Sequence, residues 1–131
     1  MKSFLFIGYI FICTALFGSD TTRAIVAKPK ILYGTASFYS NSFNGKKTAN
    51  GEIYSHKKMT AACNVLPLGT WIRVTNLRNG KSVVVKINDR LHARMKRVVD
   101  LSKEAADKLN YIKSGLTRVR VEVLGKQKPE K

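Results

Sequence analysis

The segment 71–87 reads WIRVTNLRNGKSVVVKI and contains two short runs of β-branched and aromatic residues. These runs are Trp71–Thr75 and Ser82–Ile87, and the pair Asn79-Gly80 lies between them. An Asn-Gly pair in this position is a strong local signal for a β-hairpin, because both residues adopt positive φ readily. The sequence therefore predicts two antiparallel strands near the middle of the chain.

Further short strands are predicted on both sides of this hairpin. Tyr33–Tyr39 and Met59–Cys63 precede it, and Val98–Leu101 follows it. Leu116–Leu124 alternates apolar and polar residues, which is typical of a half-buried strand. Its alternation predicts inward valines and outward charged side chains, namely Val119, Val121 and Val123 inward and Arg118, Arg120 and Glu122 outward.

The remaining pattern indicates one or two short helices and one long loop. Ser102 is a good N-cap, and strong helix formers follow it in Lys103–Leu109 before Gly115 breaks the pattern. Residues 40–56 are rich in Asn and Gly and predict a long polar loop. Five or six short strands bury their edges most economically by closing into a small barrel, so we predict a mainly β fold.

The N-terminus has the composition of a secretory signal. Lys2 is followed by 17 uncharged residues, Ser3–Ser19, with an apolar centre. We expect residues 1–18 to be a signal peptide, with cleavage after Gly18 or as late as Ala24. An uncleaved anchor is the alternative, since the run is at the short limit for a membrane span. We expect a linker over 19–31, one domain over 32–124 and a flexible basic tail over 125–131.

The balance of charge is strongly basic, with 24 Lys and Arg against 8 Asp and Glu and a net charge of +16. Such a charge attracts polyanions, either nucleic acid or anionic polymers of a cell envelope. Export argues against nucleic acid, so we expect a periplasmic, envelope or secreted protein that meets anionic envelope polymers. Loss of a signal containing Cys13 leaves Cys63 unpaired, so the fold stands without an internal disulfide.

Seven motifs occur in order between residues 34 and 124. They are Gly34–Tyr39 (GTASFY), Phe43–Glu52 (FNGKKTANGE), Met59–Ala62 (MTAA), Leu66–Thr70 (LPLGT), Val74–Leu77 (VTNL), Ile87–Arg90 (INDR) and Val99–Ser102 (VDLS). This set resembles the rare lipoprotein A family. The resemblance implies a six-stranded double-psi β-barrel, the fold shared with expansins and barwin-like proteins.

The resemblance also implies an activity, the endolytic cleavage of peptidoglycan glycan strands by a lytic transglycosylase. The family prefers strands without stem peptides and leaves 1,6-anhydro-muramyl ends. The alternative is a catalytically inactive, expansin-like module that binds glycan. The partner is peptidoglycan in either case, and we expect a monomer with no cofactor and no membrane span after signal removal.

The resemblance implies Asp89 as the catalytic acid and base, because glycosidic cleavage needs a proton donated to the leaving oxygen. The alternative for Asp89 is a side-chain hydrogen bond in a turn at the strand end. Glu52 matches a family glutamate that orients Asp89 or the substrate, or assists protonation; otherwise it is a solvated loop carboxylate. We expect Asp100 to be structural and to satisfy loop or helix N–H groups. The substrate-binding residues implied by the motifs are Asn88, Arg90, Tyr39, Thr48 and Asn50.

Two positions depart from the family pattern. Cys63 follows Thr60-Ala61-Ala62 where catalytic members carry a histidine, and a thiol is a weak donor that packs as a small apolar group. His92 follows Asp89-Arg90-Leu91 and either supplies the missing imidazole or is an exposed loop residue. The spacing of Cys63, His56 and His92 matches no zinc pattern, so we expect no metal site. Tyr39 and Trp71 either stack on sugar rings or pack in the core.

Overall fold

The predicted hairpin forms two neighbouring strands of a closed barrel in the computed structural model, which describes residues 30–130. The predicted signal and all but the last two residues of the predicted linker lie outside the described residues. The strands are β1 (Ile31–Phe38), β2 (Thr60–Ala62), β3 (Trp71–Asn76), β4 (Ser82–Asp89), β5 (Val99–Leu101) and β6 (Thr117–Gly125). One α-helix, α1 (Lys103–Lys108), separates β5 from β6.

The strands follow the order β1, β5, β2, β4, β3, β6 around the barrel, and β6 pairs back with β1. The pairs β1–β5 and β2–β4 are parallel, whereas the other four pairs are antiparallel. This closed, mixed six-stranded arrangement with one short helix confirms the predicted double-psi β-barrel class. Closure pairs each of these six strands with two neighbours, so none of the six has a free edge that could pair with another chain.

The barrel core consists mainly of Val, Ile, Leu and Ala side chains. Val119 and Val121 are fully buried, as the alternation of β6 predicts, and Val123 packs partly against the same core. The other fully buried branched side chains are Ile72, Val74, Val85, Ile87, Val99, Leu101 and Leu109. Each such side chain contributes about 1.5–3 kcal/mol of transfer free energy to the stability of the barrel. Cys63, the cysteine among residues 30–130, is a buried free thiol.

Helix α1 closes one side of this core. The Ser102 hydroxyl accepts a hydrogen bond from the Ala105 amide at 3.3 Å, which confirms Ser102 as the N-cap. Ala105, Ala106 and Leu109 are fully buried on the inward face of the helix. The helix thus fixes the position of β5, which immediately precedes it.

A register shift places the end of β4. Strand β2 pairs with β4 through Ala61 opposite Ile87 and Ala62 opposite Asp89, so Asn88 has no opposite residue in β2. Such a bulge bends the strand and changes the direction of the side chains beyond it. The irregularity lies directly beside Asp89, the carboxylate that the sequence singled out.

Residues 40–56 are more ordered than the predicted long loop. They contain a single 3-10 turn at Asn41–Phe43 and a bridge between Lys47 and Ile53. Within that bridge the Thr48 amide donates to the Glu52 carbonyl at 2.7 Å. The segment 47–53 is therefore a small hairpin that is held by hydrogen bonds of Asn and Thr side chains. The amino-acid composition of a loop does not predict such bonds.

The C-terminal residues contact the barrel at two points. The Lys126 ammonium donates to the Leu68 carbonyl at 2.9 Å, and the Lys128 ammonium lies 5.8 Å from the centre of the Trp71 ring. The Lys128 ammonium therefore lies over one face of the Trp71 ring, at a distance typical of a cation–π contact. Within residues 30–130, no helix combines the length and the apolar character that a membrane span requires.

Candidate active site

A cleft of about 460 Å³ opens beside the C-terminal end of β4. Its wall combines aromatic and apolar side chains with an aspartate, an imidazole and an ion pair. The residues that line it are Phe38, Tyr39, Ser40, Phe43, Ala62, Asp89, Arg90, Leu91, His92, Met95, Arg97 and Asp100. The cleft thus brings together residues from β1, β2, β4, β5 and the 90–98 loop.

Asp89 is held in a fixed orientation by three hydrogen-bond donors. The Tyr39 hydroxyl donates to Oδ2 at 2.7 Å, and the amides of Ala49 and Arg90 donate to Oδ1 at 2.8 and 2.9 Å. These donors come from the residue directly after β1, from the 47–53 hairpin and from the residue directly after β4. The carboxyl group is half-buried and faces the cleft, so it is accessible to a ligand and yet oriented by the fold.

Tyr39 is the buried donor of this arrangement. Its ring stacks on Tyr54, with centres 4.0 Å apart and planes at 10°, and meets the edge of Phe43. Burial, and then the hydrogen bond to Asp89, raises the pKa of Tyr39 well above its ordinary value. The hydroxyl therefore keeps its proton and acts as a permanent donor. Tyr54 thus covers one face of the Tyr39 ring, for which the sequence left sugar stacking and core packing open.

Glu52 belongs to a hydrogen-bond network beside the cleft. Its Oε1 accepts hydrogen bonds from the side-chain amides of Asn50 and Asn88 at 2.9 and 3.0 Å. Both bonds lower the pKa of Glu52, and the bond from Asn50 has the larger effect. The Thr48 hydroxyl donates to Asn50 Oδ1 at 2.7 Å. Three of the predicted substrate-binding residues, Thr48, Asn50 and Asn88, thus share one network with Glu52. This network shapes the hairpin that presents the Ala49 amide to Asp89.

Cys63 lies behind the cleft. Its side chain is fully buried in the barrel core, and Ala62 is the residue of this segment that reaches the cleft wall. The Cys63 amide donates to the Asp89 carbonyl at 3.0 Å. Through this bond Cys63 holds the backbone of Asp89, while its side chain is buried in the core and is not part of the cleft lining.

Arg90 uses its guanidinium to hold neighbouring backbone. Its Nη1 donates to the carbonyl oxygens of Cys63 and Leu66, the latter at 2.6 Å. Arg90 was predicted to bind substrate. It lies in the cleft wall, but its guanidinium is hydrogen-bonded to the backbone of the 63–66 segment. A charged donor shared by two carbonyls ties this segment to the end of β4.

The two histidines have different environments. His56 Nδ1 is hydrogen-bonded to the Tyr54 hydroxyl at 2.8 Å and its Nε2 to Asn41 at 3.1 Å, whereas His92 lines the cleft that contains Asp89. With Cys63 in the core, these three residues do not converge. Across residues 30–130, no group of three or more His, Cys, Asp or Glu side chains is placed to bind a metal ion.

Asp100 has a different partner from the predicted one. Instead of loop or helix N–H groups, its carboxylate accepts from the Arg97 guanidinium at 2.7 and 3.1 Å, while Ser102 caps the helix. The spacing of three residues between Arg97 and Asp100 could have predicted this ion pair from the sequence. Phe43 and Met95 also line the cleft, yet nothing in their local pattern distinguishes them from other exposed apolar residues.

The sequence profile of the lytic transglycolase family matches residues 32–121, which is most of the barrel. The chain belongs to this family. An endolytic peptidoglycan transglycosylase, RlpA, of Pseudomonas aeruginosa is 54% identical over 91 residues, 70% of this chain and 27% of that protein. The protein of the same name from Campylobacter jejuni is 46% identical over 108 residues, 82% of this chain and 39% of its own length. The chain therefore spans well under half of these curated relatives.

Solved structures share the fold with this lytic transglycolase family member at lower sequence identity. An expansin from Clavibacter michiganensis superposes with a TM-score of 0.60 and 20% identity, over 78% of this chain and 53% of the expansin. A papain inhibitor from Streptomyces also gives a TM-score of 0.60, at 18% identity, over 72% of this chain and 94% of the inhibitor. These similarities establish the barrel fold but not the chemistry, which depends on the residues of the cleft.

Proposed function

We propose that the protein cleaves peptidoglycan glycan strands by lytic transglycosylation, with Asp89 as the group that transfers the proton. The observation that carries this proposal is the orientation of the Asp89 carboxylate by three donors at the wall of an open cleft. Family membership supports the reaction class. The names of the matched relatives support peptidoglycan as the substrate.

The reaction requires one proton donor and no water. Asp89 donates a proton to the glycosidic oxygen as the bond from that oxygen to C1 of the muramyl residue breaks. The 6-hydroxyl of the same sugar then attacks C1, forms the C1–O6 bond and returns its proton to Asp89. The carboxyl group ends in its starting state, and the product carries a 1,6-anhydro ring.

The walls of the cleft suit a sugar chain. Phe43 and Met95 are 47% and 43% exposed, and they offer apolar surfaces to the C–H faces of sugar rings. A volume of about 460 Å³ lies within the ordinary range for small-ligand sites. The size of the cleft and its apolar walls therefore support a sugar chain as the ligand.

The charge and the predicted signal support a place in the cell envelope. If residues 1–18 are removed, 23 basic and 8 acidic residues remain, a net charge of +15. A charge of this sign favours retention near anionic envelope polymers, and added salt weakens that attraction by screening. We propose that the exported protein acts on peptidoglycan there, on strands that lack stem peptides.

The test is to incubate the protein with peptidoglycan glycan strands freed of stem peptides and to analyse the products by mass spectrometry. We expect muramyl ends that are 18 mass units lighter than hydrolytic ends, because no water is added. Hydrolytic ends, or intact strands, would exclude the proposed reaction. Strands that are bound at moderate salt yet stay intact would indicate the expansin-like binding module instead.

Tyr39→Phe tests the orientation of Asp89. The substitution keeps the ring that stacks on Tyr54 and removes the hydroxyl that donates to Asp89. A hydrogen bond to a charged group contributes about 1.5–3 kcal/mol, so we expect at least about a tenfold loss in the rate of anhydro-product release. The rate is followed by mass spectrometry, and the unfolding temperature is measured beside it.

Tyr33→Phe is the matched control, since Tyr33 is 61% exposed on β1 and lies outside the cleft lining. It removes the same hydroxyl group from a position that does not contact Asp89. Equal rates for the Tyr39→Phe and Tyr33→Phe proteins would contradict a positioning role for Tyr39.

A further inference from the structure

We propose that His92 contacts the bound glycan and donates its Nε2–H to a sugar oxygen close to Asp89. The inference rests on the proposed function and deepens it, because it assigns a second polar contact in the same cleft. It depends on three observations, namely the state of the imidazole ring, the anchoring of the backbone around it, and its place in the cleft.

The imidazole has one nitrogen occupied and one free. Nδ1 accepts a hydrogen bond from the Arg94 amide at 3.2 Å, so the neutral ring carries its proton on Nε2. Among the described residues, no protein acceptor lies within hydrogen-bond distance of that Nε2. The ring therefore offers a single oriented donor, and the glycan is rich in acceptors in its hydroxyl, ring and acetamido oxygens.

The backbone that carries His92 is anchored on both sides by a single side chain. Asn64 Oδ1 accepts from the Leu91 amide at 2.8 Å, and Asn64 Nδ2 donates to the His92 carbonyl at 3.2 Å. The Met95 amide donates to the same carbonyl at 2.9 Å. These hydrogen bonds hold the loop that carries His92 in one conformation, and a ligand-contacting residue gains affinity from being pre-organised.

The third observation is the place of His92 in the cleft. His92 lines the cleft together with Asp89, next to Leu91 and Met95, whose apolar side chains exclude water once a sugar covers them. His56 provides the contrast inside the same molecule, because Tyr54 and Asn41 occupy both of its ring nitrogens. Of the two histidines in the chain, His92 is the one that lines the cleft and has a ring nitrogen without a partner among the described residues.

The experiment is an NMR titration of the protein labelled with ¹⁵N in its two histidines. The probe is a tetrasaccharide of alternating N-acetylglucosamine and N-acetylmuramic acid without stem peptides. Asp89→Asn prevents turnover while spectra are recorded. We expect the His92 ring resonances to shift as the tetrasaccharide binds and the His56 resonances to stay in place. Unmoved His92 resonances at saturating tetrasaccharide would overturn the inference.

Two substitutions separate hydrogen bonding from simple ring packing. His92→Phe keeps a ring of similar size without a donor, and we expect it to weaken tetrasaccharide binding about threefold to tenfold. His92→Gln places an amide donor near the position of Nε2, and we expect it to restore most of the affinity. Equal affinities for the Phe and Gln variants would contradict the donor role.

The outcome for His92 is distinguishable from the outcome for the reaction. A His92 shift without any anhydro product supports the contact and excludes the transglycosylase function. Anhydro product without a His92 shift supports the function and excludes the contact.

Discussion

Asp89→Asn is expected to reduce the release of 1,6-anhydro ends by about 10²- to 10⁴-fold, the range for loss of a general acid–base group. The amide cannot deliver a proton to the glycosidic oxygen or recover one from the 6-hydroxyl. The measurement is the initial rate of product release from strands without stem peptides, followed by mass spectrometry. Cleavage at the wild-type rate by this variant would exclude Asp89 as the proton-transfer group.

The fold should tolerate this substitution. The side-chain oxygen of the new Asn still accepts from the Ala49 and Arg90 amides, and its NH₂ group donates to the Tyr39 hydroxyl oxygen, which accepts as well as donates. Asp107→Asn is the matched control, because Asp107 is an exposed carboxylate on α1 that lies outside the cleft lining. Its variant should cleave at the wild-type rate, and both variants should unfold near the wild-type temperature.

Local patterns predicted the elements of this barrel better than their arrangement. The Asn-Gly pair between β3 and β4 and the valine alternation of β6 are short-range signals, and all three strands lie where these signals predict them. The parallel pairs β1–β5 and β2–β4 join segments that are distant along the chain, so no local pattern specifies them. The resemblance to a known family supplied that long-range information.

The residues of the site also differ in how well the sequence predicts them. Asp89 is recognisable because it ends an apolar strand inside a family motif, whereas its donor Tyr39 lies 50 positions away and meets it only through barrel closure. The register shift that leaves Asn88 without an opposite residue in β2 lies directly beside Asp89. Such a one-residue irregularity reverses which face a side chain occupies, and nothing in the strand composition announces it.

Arg90→Met is expected to lower the free energy of unfolding by about 2 kcal/mol and the unfolding temperature by about 10 °C. The substitution keeps an unbranched side chain and removes the guanidinium that donates to the Cys63 and Leu66 carbonyls. Both carbonyls then lose a charged donor, and the 63–66 segment is less firmly held against the end of β4. Thermal unfolding followed by circular dichroism measures the effect.

Arg94→Met is the control for the loss of positive charge. Arg94 is exposed in the same loop and lines no part of the cleft, so its substitution should change the unfolding free energy by less than about 0.5 kcal/mol. A stability loss confined to Arg90→Met therefore measures the two carbonyl contacts. Equal unfolding temperatures for the two variants would contradict this structural role.

The Arg90 substitution should also affect the cleft, because Arg90 holds the 63–66 segment that contacts the cleft loop. Asn64 lies between the two carbonyls that Arg90 contacts, and it anchors the backbone on both sides of His92. A loosened 63–66 segment should therefore weaken glycan binding as well as the fold. If Arg90 instead served mainly as a direct substrate contact, Arg90→Met would weaken binding while the unfolding temperature stayed unchanged. The two measurements on one variant thus decide between a residue that touches the glycan and a residue that builds the wall beside it.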